Sequence, residues 1–259
     1  MKSARWPAWF LLSCAVAIAI AIALALALAL LPPFPQPQDY HRFADARALL
    51  GVPNFLDVIS NLVFLAVAVS GLDAVLRPGR VAFIDRTEHL PYALFFVALA
   101  ATAFGSAWYH LAPDNARLFW DRLPINICFA ALLSAVIAER CSIKAGLLLL
   151  LPLVAAGAGT VWYWLRSEML GSGNVLPYFA FQVYALLAIL LSMCLFPPRY
   201  SRGADLYRAA MLYGAALAAE LLDRRIYALG QVGGHTLKHL LAALAIYQIV
   251  RMLRLRTRI

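Results

Sequence analysis

Charged residues are scarce in this chain: they make up 14% of its 259 residues, where a soluble domain carries about a quarter. That shortage excludes an ordinary water-soluble domain. Acidic residues are scarcer than basic ones, 13 against 22, giving a formal net charge of +9. Yet there is no basic tract with interleaved aromatics, so the charge does not point to nucleic acid. The arginines stand beside apolar runs, where membrane insertion and anionic headgroups favour them. Cys14, Cys128, Cys141 and Cys194 fall singly in or beside apolar segments, with no CxxC pair. They are small packing residues and say little about redox compartment. No internal repeat is present, and no join between apolar segments is long enough for a soluble domain.

What fills the chain is long apolar runs. Eight approach or exceed the roughly 20 residues that span a hydrocarbon core: 8–31, 54–76, 91–111, 119–138, 145–165, 175–196, 206–222 and 234–253. The reading is an all-α polytopic membrane protein, a seven-helix transmembrane bundle plus one N-terminal transmembrane helix. Residues 1–32 hold that first helix, with "ALALALALL" behind Lys2 and Arg5, either a signal anchor or a cleaved signal peptide. Residues 33–53 form an extracytoplasmic loop, Pro-rich first and then charged, and 54–259 the seven-span domain. With the N-terminus inside, fourteen basic residues fall on inner loops and tails and eight on outer ones. The positive-inside rule therefore places both termini in the cytoplasm.

That topology has a consequence for histidine. The third span ends on the outer side with Ser106 and His110, four residues apart and so on one helical face. The next span opens there with Asp121. The last span opens there too, with "GGHTLKHLL", where His235 and His239 again share a face. Three of the five histidines thus meet one depth at the ends of two spans.

Two imidazoles one turn apart, plus a third from another helix, make a ligand set for catalytic zinc with an open fourth position. Bis-histidine haem competes, but needs two axial ligands and leaves the third histidine without a role. A carboxylate beside such a metal, Asp121, can move a proton for an attacking water, and Ser106 can donate to an oxyanion. Each also has a plainer account. Asp121 can pair with Arg117 or Arg122 at headgroup level, and Ser106 can serve helix packing.

A second polar group precedes and opens the second span: Asp45, Asn54, Asp57, Ser60 and Asn61. Oxygen ligands of this kind suit calcium. The favoured reading from spacing is instead a helix cap by Asn54, with Asp57 at the positive end of the helix. Asn61 is expected to bond toward the helices bearing the histidines. Glu220 and Asp223, followed by Arg224 and Arg225, read as an interfacial salt bridge, and "WYWLR" at Trp162–Arg166 as an interfacial aromatic belt.

The order "SN", "GSAWYH", "WDRLP" and "HTLKH" along successive spans resembles the alkaline ceramidases. More broadly it resembles the superfamily that includes adiponectin-receptor-like proteins and GPI-lipid remodelling hydrolases, with bacterial ceramidase-like members nearest in wording. The resemblance covers residues 54–253. It implies a zinc-dependent membrane hydrolase that splits the amide of ceramide, or a related N-acyl lipid, into a fatty acid and a free amine base. By the same resemblance His110, His235 and His239 hold zinc, Asp121 is the acid/base and Ser106 steadies the oxyanion. It also implies a calcium site near Asp45, Asn54 and Asp57, although Asn54 stands where eukaryotic members carry a glutamate. Two alternatives stand beside it: a phospholipid or GPI-type ester hydrolase with the same metal site, and a zinc-stapled receptor or scaffold. The expected partner is a membrane lipid, with no nucleic acid and no protein partner evident. The expected location is a bacterial inner membrane with the active site at its outer face.

Overall fold

The computed structural model describes residues 16, 19–24, 26–28 and 30–259. Half of the expected span at 8–31, and with it the question of a signal anchor, lies outside them. Eight α-helices follow residue 50: α1 Phe55–Leu76, α2 His89–Leu111, α3 Asn115–Arg140, α4 Ile143–Met169, α5 Leu176–Leu195, α6 Ala204–Leu221, α7 Asp223–Gly230 and α8 Gly234–Leu255. Among the described residues there is no strand, only two isolated bridges, Leu49 with Val52 and Tyr200 with Arg258. The protein is all-α, and six helices are long and apolar enough to cross a membrane. The expected span at 206–222 does form a helix, α6. It is not among the six, and its 18 residues carry Asp205, Arg208 and Glu220.

Local chemistry explains where the helices begin. Asp114 accepts from the Arg117 amide at 2.7 Å and so caps α3, and Ser142 accepts from Ala145 to cap α4, each satisfying an orphan amide. Pro177 lies in the first turn of α5, where its missing N–H costs nothing.

The helices pack as a bundle in which α1 touches α2 and α8, α2 touches α3, α3 touches α4 and α5, and α6 lies on α8. Small side chains line the contacts: Ala68, Ala74, Ala130, Ala131, Ala135, Ala185 and Ala243 are fully buried. Small residues let backbones approach where no water is present to drive association. Polar side chains tie α3 to its neighbours. Ser134 donates to Gly146 O at 2.8 Å, Asn126 to Gly157 O at 3.2 Å, and Gln182 on α5 to Asn126 Oδ1 at 2.9 Å. Large apolar side chains such as Leu62, Phe104, Leu148 and Leu151 point outward, as a lipid-facing surface requires.

The two ends of the bundle differ. At one end a strap, residues 34–47, crosses the helices. Phe34 O accepts from Val175, and the Gln36 amide donates to Glu168 at 2.6 Å. The Gln36 side chain takes Arg122 Nη2 at 2.6 Å, and His41 reaches Tyr109 Oη at 2.9 Å and Asn115 Oδ1 at 3.0 Å. Arg122 is buried, its guanidinium 4.4 Å from the Trp164 ring and 4.7 Å from that of Tyr178. This splits the expected aromatic belt: Trp162 and Tyr163 are outward, but Trp164 is fully buried against an arginine. At the other end the C-terminal tail is stapled down, with Arg256 bonded to Glu139 and stacked 4.0 Å from the Tyr200 ring. That end also holds two clusters of three arginines about one aspartate. Arg77, Arg80 and Arg254 face Asp73, and Arg202, Arg208 and Arg251 face Asp205.

Candidate metal centre

Two helix ends bring three histidines together beneath the strap. His110 stands in the last turn of α2, and His235 and His239 in the first two turns of α8. All three are buried, and their ligand atoms lie within 4.8 Å of one another. Neighbouring rings lie 4.8 to 5.1 Å apart between centroids and are inclined at 65 to 76°. Their edges therefore converge and their faces do not stack. The Nε2 atoms of His110 and His235 are 3.2 Å apart. Two nitrogens on one tetrahedral zinc, each at about 2.0–2.1 Å, stand about 3.3 Å apart. The trio can hold a metal ion.

Side chains stand behind two of the rings, and for one of them a hydrogen-bond chain sets which nitrogen is free. His239 Nδ1 lies 2.7 Å from Ser60 Oγ, and that hydroxyl donates onward to Asp57 O at 3.0 Å. Ser60 has spent its proton, so Nδ1 of His239 must donate, which leaves the Nε2 lone pair for a metal. His235 Nδ1 lies 2.7 Å from Glu220 Oε2. The two are at ion-pair distance without hydrogen-bond geometry, and Lys238 Nζ lies 3.3 Å from Nδ1 and 3.2 Å from Nε2 of the same ring, so Glu220 and Lys238 together surround His235. His110 differs, since its Nδ1 is buried without a hydrogen-bond partner; it is placed through its carbonyl, which accepts from Asn54 Nδ2 at 2.8 Å.

Two glycines bring these elements together, each directly before a site residue. A Cβ on Gly105 would stand 2.2 Å from Trp120 O, and one on Gly234 would stand 2.2 Å from Ala219 O. Only glycine lets α2 approach α3 there, which sets Ser106 against Asp121. Only glycine lets the start of α8 lie on the end of α6, which sets His235 beside Glu220. The Ser106 hydroxyl neighbours the Asp121 carboxyl, and Lys238, His235 and Arg122 also lie around it. Arg117 is occupied by Asp114 instead. Asp121 therefore lies beside the histidines but is not one of the metal-holding group.

Several expectations need correction. Asn54 occupies the cap position of α1 but makes no side-chain cap bond: its backbone is left-handed, φ +46°, which turns the amide to His110 instead. Asn61 donates back to Asp57 O at 2.7 Å on its own helix, and it is Ser60 that reaches a histidine. Asp223 does not pair with the arginines that follow it. It accepts from the His235 amide and the Ala44 amide, both at 3.0 Å, while Arg224 pairs with Asp39. Glu220 faces His235 and Lys238, whose Nζ lies 3.2 Å away.

The residues considered for calcium have separate partners, although Asp57 Oδ2 is buried without one. Both Asp45 oxygens take Arg47 at 2.7 Å, and that guanidinium holds the Asp45 carboxyl below the usual aspartate range. Asn54 serves His110, and Asp57 Oδ1 accepts from Thr236 at 2.5 Å. Phe43, in the strap, carried no sequence signal. Its ring centroid lies 4.6 Å from that of His110 and 4.8 Å from that of His235, so it roofs the trio. Lys238 was visible only as the basic residue inside "HTLKH".

Compared with known proteins, the chain matches no family model, no curated protein and no solved structure, so the chemistry of this centre is read from its own residues.

Proposed function

We propose that this chain is a zinc-dependent lipid hydrolase of the cell membrane that cleaves the amide bond of ceramide or a related N-acyl lipid. The observation that carries the reading is the converging histidine trio, with Ser60 bonded behind His239 and the Glu220 carboxylate beside His235. Zinc rather than a harder cation suits three imidazoles. When bound, zinc supplies a Lewis acid and brings the pKa of a coordinated water near 7.

The remaining steps belong to this chain's side chains. Asp121 takes the proton of the attacking water and delivers it to the departing amine nitrogen. Ser106, one turn before His110, turns its hydroxyl from Asp121 to the oxygen that gains charge. Phe43 and the strap keep bulk water off the histidines, which favours lipid entry from between helices. In this reading α6 is a seventh span. Its charged residues sit at its two ends, where Asp205 meets three arginines and Glu220 meets Lys238. The histidines and the C-terminus then lie on opposite faces, and with the N-terminal span expected at 8–31 both termini face the cytoplasm and the histidines face outward. Calcium is not part of the proposal, because Arg47 occupies the Asp45 carboxylate.

A structural zinc staple would use four protein ligands, and the group here contains three histidines without Asp121. An open fourth position supports hydrolysis over a scaffold. The test is to incubate the purified full-length protein with ceramides and with chain-matched ester lipids and to quantify free fatty acid. Amide cleavage abolished by a chelator and restored by zinc is expected. Ester cleavage alone would move the assignment to an ester hydrolase, and no cleavage of either class by zinc-loaded protein would refute the hydrolase reading.

A further inference from the structure

We propose that the end of the bundle opposite the histidines binds the phosphate headgroup of an anionic membrane lipid, seated in a groove between α6 and α8. The site is built on one carboxylate. Asp205, in the first turn of α6, is 1% exposed, and three guanidinium groups converge on it: Arg202 at 2.7 Å, Arg208 at 2.5 Å and Arg251 at 3.3 Å. One negative charge offsets one of three positive charges, so the cluster keeps an excess of two. Arg208 and Arg251 are 52% and 41% exposed along their side chains. Each donates to Asp205 through Nη1, and a guanidinium carries five N–H donors in a planar fork that matches phosphate oxygens.

Beside this cluster opens a groove of about 340 Å³, bordered by Arg208, Met211 and Leu212 of α6 and Gln248 of α8. Depth orders its lining. Arg208 lies four residues inside the start of α6 and Arg251 four residues inside the end of α8, about 6 Å along each helix at 1.5 Å per residue. Met211 and Gln248 lie three residues further in, roughly 5 Å deeper. A charged rim therefore sits above a mostly apolar wall in which Gln248 is the one polar side chain, which is the order of a lipid headgroup and its chain. Met211 is 68% exposed, and its unbranched thioether adapts to an irregular acyl chain.

Charge complementarity selects the occupant. A zwitterionic lipid would bring its own cation to a site already in positive excess, and a free phosphate would use the rim and leave the groove unfilled. An anionic phospholipid satisfies both parts.

Full-length protein is reconstituted in bilayers of equal phosphatidylglycerol and phosphatidylcholine with identical chains, extracted in neutral detergent, and its retained lipid quantified by mass spectrometry. Wild-type protein should retain phosphatidylglycerol over phosphatidylcholine by about thirtyfold, the preference expected of two uncompensated charges near a membrane surface. The double variant Arg208→Gln/Arg251→Gln, in which Arg202 still pairs with Asp205, should fall close to parity. Met211→Trp, which fills the groove and leaves the arginines intact, should lose retention as well. Arg224→Gln, on the opposite end, should retain lipid like wild type. Equal retention of the two lipids by wild type, or undiminished retention in Met211→Trp, would overturn the site. Complete displacement of the lipid by inorganic phosphate would overturn the assignment to a lipid.

Discussion

Ser60 Oγ stands 2.7 Å from Nδ1 of His239, and its own proton is committed to Asp57 O. A serine on α1 thus selects the tautomer of a histidine on α8, 179 residues away in sequence. Ser60→Ala should leave the fold intact and weaken zinc affinity by about 10- to 100-fold, the usual effect of losing a partner behind a metal ligand. Competition with a chromophoric chelator measures it. Unchanged affinity would mean that Ser60 does not orient the ring.

Gly234 is the second point of leverage. Its Cβ would meet backbone, Ala219 O at 2.2 Å and Asp223 Cα at 2.7 Å, so the start of α8 must move to admit alanine. Gly234→Ala is expected to cost about 1–3 kcal/mol of stability, as overpacking does, and to weaken metal binding with it. Gly214→Ala, where a Cβ meets nothing within 4 Å, should be neutral. Thermal unfolding of the two variants separates the cases, and equal behaviour would contradict the close-approach account.

Asp121 and the histidines should part company in their phenotypes. Under the proposed hydrolysis, Asp121→Asn keeps the shape, removes the proposed proton acceptor and should cut amide cleavage by about 10²- to 10⁴-fold with zinc content unchanged. His239→Ala should lose both. Zinc lost from Asp121→Asn would make Asp121 a ligand and close the fourth position.

Phe43 shields the trio from outside, its ring within 5 Å of two histidine rings. Phe43→Ala should speed zinc release to an external chelator while leaving equilibrium stoichiometry at one. Release rates equal to wild type would show that the strap is no barrier.

The metal-holding group was legible in sequence because it is made of regular parts: an i, i+4 histidine pair and a third histidine, each at the same end of an apolar helix. What was not legible depends on breaks in regularity. The left-handed backbone at Asn54 turns its amide away from the helix it precedes, so a cap-like residue became a strut for His110. The helix is interrupted at Leu222 between α6 and α7, and Asp223 faces the His235 amide and not the arginines that follow it. Phe43 lies in a strap without period, and nothing local marks it as a roof. The sequence reads 206–222 as a span, yet α6 carries Asp205, Arg208 and Glu220 and is not among the six helices long and apolar enough to cross a membrane.

X-ray absorption at the zinc edge of the purified, zinc-loaded protein tests the central claim most directly. Convergence of His110, His235 and His239 on one ion predicts one zinc per chain with three imidazole nitrogens at about 2.0–2.1 Å and one further light ligand. A first shell containing sulfur, a shell of oxygens alone, or stoichiometric zinc that persists in the His110→Ala, His235→Ala and His239→Ala variants would contradict it.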